Sequence, residues 1–112
     1  MIDLSYLKTT TENDPIVIRE LIKLFIEQLP DLKKNILTAY ENKNWKALKD
    51  AAHKAKSSFQ IIGAYAQADE LKQMEIMAVE ERDKKEFDLY ISNFKNSCST
   101  VLVELEEVMK QK

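Results

Sequence analysis

Apolar residues recur at alternating spacings of three and four along almost the whole chain, and that period belongs to α-helix. One series runs through Ile18, Ile22, Phe25, Leu29, Leu32 and Ile36. A second joins Trp45, Leu48, Ala52, Ala55, Phe59 and Ile62. A third and weaker one joins Ala68, Leu71, Met74 and Ala78, with Ile76, Met77 and Val79 spread around it. The fourth runs unbroken through Phe87, Ile91, Phe94, Cys98, Val101, Leu105 and Val108. Each series gives its helix one apolar face, which must be buried against the others. No segment shows the strict alternation of a half-buried strand. One glycine and two prolines in 112 residues leave few places for the chain to turn.

The punctuation fits these four helices. Asp14-Pro15 predicts the start of the first: Asp can cap free N–H groups, and Pro at the first helical position loses no hydrogen bond. Pro30 falls inside that helix, but the stripe continues in phase beyond it, so a kink rather than a break is expected. Tyr40 to Asn44 reads as a turn, with Asn44 as the next N-cap. Gly63 follows the second stripe, where a helix can end in a left-handed residue. A third helix is expected from about Tyr65 to Glu81, central in the molecule because apolar residues lie on several of its sides. Asp83 and Glu86, three apart, form an Asp version of the capping box before the last helix. The first dozen residues, with Leu4, Tyr6 and Leu7, suit a short helix or extension over one end. Short connections between amphipathic helices predict an all-α, antiparallel up-down-up-down four-helix bundle, with residues 1–112 as a single domain.

Several function classes lose support here. A net charge of -2 gives no reason to expect a nucleic-acid partner. Cys98 is the lone cysteine, so neither an intrachain disulfide nor a cysteine-cluster zinc site can form, and its place on the last stripe reads as packing. Met74, Met77 and Met109 read likewise as core. No run of about 18 apolar residues is present to span a bilayer. The first 14 residues lack a signal-peptide pattern. A cytoplasmic monomer is the expectation, although the last helix could also pair in a coiled coil.

His53 is the only histidine. It projects about 130° from the centre of its helix's apolar stripe and should face solvent. Lys49, Lys56, Ser57 and Gln60 are its neighbours on the helix surface, with Lys46 and Lys54 close by. Neutral imidazole keeps one nitrogen free as a nucleophile near pH 7, and lysines can offset the charge of an added phosphoryl group. Lys56 is best placed to touch phosphoryl oxygens. The plain alternative is a solvated surface histidine on a lysine-rich face.

The segment Ala52-His53-Lys54-Ala55-Lys56-Ser57-Ser58-Phe59-Gln60-Ile61-Ile62-Gly63-Ala64 resembles the signature of histidine-containing phosphotransfer (HPt) domains. In that family a phosphorylatable His is followed by Lys three residues on, then small residues, then Gly about ten on. His53, Lys56, Ser58, Gly63 and Ala64 match. The stretches Leu24 to Leu32 and Leu71 to Glu75 resemble the helices on either side. Ser57 stands where the family usually has Gly, and Ala55 replaces a commoner Leu.

The resemblance implies a phosphorelay intermediate of two-component signal transduction, with His53 phosphorylated and Lys56 assisting. Response-regulator receiver domains would be its partners, together with a hybrid sensor histidine kinase. The receiver would bring Mg²⁺, and the chain would need no cofactor and have no kinase activity of its own. Lys49, Ser57, Gln60 and Ile61 would border the docking surface. Ile61 lies well off the core stripe, and burial under a neighbouring segment is an equal alternative for it. Two rival readings remain: a four-helix adaptor with an incidental His, and a di-metal bundle enzyme. The second is poorly served, because Asp50 rather than Glu lies three before His53 and His53 points outward.

Overall fold

The computed structural model describes residues 2–80 and 84–110. Five helices account for most of them, with no strand among the described residues. They are α1 (Ser5–Thr10), α2 (Pro15–Glu41), α3 (Trp45–Ile61), α4 (Tyr65–Glu80) and α5 (Lys84–Lys110). Their starts follow the sequence chemistry. The Asp14 carboxylate accepts from the N–H groups of Ile16 and Val17, with Pro15 at the first helical position. Asn44 Oδ1 accepts from the Ala47 N–H. Gly63 takes φ +78° after α3, the left-handed ending expected of it.

One detail differs from expectation. Tyr40 and Glu41 belong to α2, so the turn is confined to residues 42–44, with Lys43 left-handed at φ +53°. Glu81 and Asp83 lie outside the described residues, and with them the expected end of α4 and the capping pair. Pro30 sits exposed within α2, which does not break there.

Four helices pack in a closed square: α2 on α3, α3 on α4, α4 on α5, and α5 back on α2. Contacts at both ends fix the antiparallel order. At one end Arg19 Nη1 donates to the Met109 carbonyl, joining the start of α2 to the end of α5. At the other, Tyr40 and Trp45 stack against Phe87. The N-terminal segment closes the first of these ends: the Asp3 N–H donates to the Gly63 carbonyl, and Leu7 is buried.

The core is continuous and wholly apolar among the described residues. Ile22, Phe25, Leu29, Leu32 and Ile36 of α2 meet Leu48, Ala52, Ala55 and Phe59 of α3, with Phe25 edge-on to Phe59. Ala52 and Ala55 are fully buried, which turns His53 and Lys56 toward the rim of α3. The expectation that α4 is central is corrected. It is one corner of the square; Met77 joins Ala68, Leu71, Met74 and Ala78 inside, but Ile76 and Val79 are exposed. With only two neighbouring helices, α4 has no third surface to cover its remaining apolar residues.

Candidate functional site

His53 lies near the middle of α3 with 60% of its side chain exposed, as its helical position dictates. Its ring is not isolated. Nδ1 sits 3.1 Å from Oε2 and 3.3 Å from Oε1 of Glu75 on α4. Lys56, one turn beyond His53, places Nζ 3.4 Å from Glu75 Oε1. One carboxylate thus holds two groups of α3, and the α3–α4 contact brings together residues 22 apart in sequence.

The chemistry assigns the tautomer. An ionised carboxylate only accepts hydrogen bonds, so the neutral ring must donate from Nδ1–H. The lone pair is then on Nε2. Partial burial disfavours ionised Glu75. The hydrogen bond from His53 and the charge of Lys56 outweigh this, and its carboxyl is held below the ordinary value.

The other residues singled out from sequence are arranged unevenly. Lys56 is largely covered, 18% exposed, with its ammonium turned to Glu75 rather than to open solvent. Lys49 Nζ is 3.9 Å from Asp50 Oδ1 at an exposed position, a weak pairing. Ser57 Oγ donates to the His53 carbonyl at 3.3 Å, so its hydroxyl meets the helix backbone and not the imidazole. Gln60 is exposed farther along α3. Ile61 is 43% exposed, so no neighbouring segment buries it. A groove of about 360 Å³ borders the dyad, lined by Lys56, Lys72, Glu75, Ile76, Val79 and Glu80.

Glu75 was not singled out by sequence reasoning. Its only signal is position: four after core Leu71 and three before core Ala78, it sits at the edge of the α4 stripe, where a side chain meets the next helix. An acid at such an edge needs a partner, but only the packing of α3 on α4 shows that the partner is His53.

The family model for the Hpt domain matches residues 20–111. The chain belongs to the Hpt domain family. Two solved structures share the fold over 99% of this chain. Histidine-containing phosphotransfer protein B from Pseudomonas aeruginosa PAO1 is 17% identical over 96% of its own chain, with a TM-score of 0.88. The HPT domain of the Hpt sensor hybrid histidine kinase from Shewanella is 14% identical over 95% of its chain, with a TM-score of 0.83. No curated protein sequence matches significantly. As an Hpt domain, the chain has a phosphotransfer role in two-component phosphorelay signalling. No helix among the described residues is long and apolar enough to cross a membrane.

Proposed function

We propose that His53 accepts a phosphoryl group from the aspartyl phosphate of a receiver domain and hands it to the aspartate of a second receiver. The observation that carries this reading is the exposed imidazole with Nδ1 against Glu75 and Nε2 left as the nucleophile. In the forward step Nε2 attacks phosphorus, the N–P bond forms, and the P–O bond to the receiver's aspartate breaks, leaving a carboxylate. The Nδ1 proton stays on the ring, which becomes positively charged as the bond forms, and the Glu75 carboxylate stabilises that charge. Return transfer runs the same step in reverse. Transfer of this kind depends on positioning and charge more than on covalent machinery.

Lys56 and Lys49 offset phosphoryl charge, Lys56 by dividing its ammonium between Glu75 and a phosphoryl oxygen. Ser57, Gln60 and Ile61 border the docking face, and Ile76 and Val79 extend it across α4. The receiver brings Mg²⁺. The domain works as a cytoplasmic monomer between receivers, one of them belonging to a hybrid sensor kinase, and carries the phosphoryl group without kinase activity of its own.

The test is incubation with receivers phosphorylated by a small phosphodonor. Acid-labile, base-stable label on the chain is expected, and none on His53→Gln. An adaptor with an incidental histidine would bind partners and take no label. Label on folded His53→Gln would move the site elsewhere.

A further inference from the structure

A further cavity lies at the end of the bundle closed by α1. It has a volume of about 430 Å³ and opens between α1, the start of α2 and the end of α5. Leu4, Ile18, Ile22, Val108 and Met109 give it apolar walls. Its charged lining residues are both cations, Lys8 and Arg19. Three other surface grooves each include at least one carboxylate: Glu20 and Glu106, Glu75 and Glu80, or Asp3. In a chain of net charge -2, an apolar cavity with two cations and no acid is a local reversal of sign.

We propose that this cavity binds an aliphatic carboxylate, with the alkyl chain against the apolar walls and the head group between Lys8 and Arg19. The size is that of a small-molecule pocket, and mostly apolar walls with a few converging polar groups are the usual composition of one. Arg19 commits one Nη1–H to the Met109 carbonyl at 2.9 Å. That bond orients the guanidinium and leaves four other N–H groups, enough for the two parallel bonds that match a planar carboxylate. The N-terminus of α2 does not compete for the anion, because Asp14 already accepts from the Ile16 and Val17 N–H groups. The connection that borders the cavity is held in an uncommon conformation: Glu12 and Asn13 are both left-handed, at φ 55° and 60°. Asn13 joins the lining, where its amide can add a further donor. Charge disfavours a cationic amphiphile, and a purely apolar occupant would make no use of the two cations.

Decanoate, kept below its micellar concentration and added to the full chain, is the probe. Saturable shifts of backbone amide signals are expected at Lys8, Asn13, Arg19, Val108 and Met109. Decyltrimethylammonium should give none, and decanol should bind at least about tenfold more weakly, as befits loss of a charge-assisted contact. Lys8→Gln and Arg19→Gln should each weaken decanoate binding roughly tenfold by the same reasoning. Arg19→Gln also removes a bond between α2 and α5, whereas Lys8 is exposed, so Lys8→Gln tests the head-group contact without disturbing the fold. The proposal is overturned by absence of saturable shifts, by equal binding of the cation or the alcohol, or by unchanged affinity in Lys8→Gln. Binding to phosphatidylglycerol vesicles without binding to free decanoate would also overturn it, by identifying a membrane surface as the ligand.

Discussion

At His53 the two ring nitrogens meet different surroundings: Nδ1 lies 3.1 Å from Glu75, while most of the side chain is open to solvent. In the transfer proposed for His53, Glu75→Gln would keep a hydrogen-bond acceptor at Nδ1 but remove the charge that balances the ring as the N–P bond forms. Hydrogen bonds to charged groups exceed neutral ones by about 1 kcal/mol, so several-fold slower transfer is expected in single-turnover assays with a phosphorylated receiver. Glu75→Ala should be slower still, and ¹⁵N spectra of its imidazole should show both neutral tautomers where the native ring shows mainly Nδ1–H. An unchanged tautomer in Glu75→Ala would remove Glu75 as the positioning residue. Lys56→Ala should also slow transfer. It leaves Glu75 with His53 alone, so its thermal stability should fall by less than about 1 kcal/mol, the usual worth of a partly exposed ion pair. Unaltered kinetics would take Lys56 out of the site. Exposure of His53 was readable from sequence because a helical wheel fixes direction. Glu75 was not, because periodicity describes one helix at a time and is silent about what the next one brings across.

At the scale of elements, the turn between α3 and α4 does more than end a helix. A Cβ added to Gly63 would lie 1.6 Å from the Asp3 carbonyl oxygen, and the backbone there is left-handed. The glycine of the signature segment is thus also the seat of the N-terminal segment, which the Asp3 N–H ties to the Gly63 carbonyl. Gly63→Ala meets two costs: a left-handed Ala, about 1 kcal/mol, and displacement of residues 2–4. The expected loss in denaturant unfolding is about 2–3 kcal/mol, falling to about 1 kcal/mol in a chain lacking residues 1–4. Equal losses in both chains would show that the contact with Asp3 carries no energy. The helix ends at Asp14, Asn44 and Gly63 were legible because capping and left-handed turns are local chemistry. The close approach of Asp3 was not, since it joins residues 60 apart. The misplacement of α4 has the same origin: apolar residues on several sides describe a helix, not the number of its neighbours.

For the whole molecule, four stripes with short connections leave little choice of topology, which is why the bundle could be read before its contacts were known. The same closed square makes Cys98 a reporter of its integrity. The thiol lies on the buried face of α5, and burial pushes it up to about 11, an effect that the charge of Lys33 only partly offsets. Only a thiolate reacts with an alkylating reagent, and with that value about one thiol in a thousand is ionised at pH 8. Access is closed as well, since Cys98 is 3% exposed among Phe94, Val101 and the rest of the core. Reaction should therefore await opening of the bundle. At pH 8 iodoacetamide should modify the native chain at least about a thousandfold more slowly than the unfolded chain, and the rate should rise along the denaturant unfolding curve. The phosphorylation proposed at His53 would add charge on the outer side of α3 and should leave this protection intact, so that the proposed donor and acceptor receivers would meet the same scaffold. Rapid labelling of Cys98 in the native chain would mean that α5 opens independently of the other helices. Faster labelling on phosphorylation alone would instead make the domain a switch, with α5 as the element that moves.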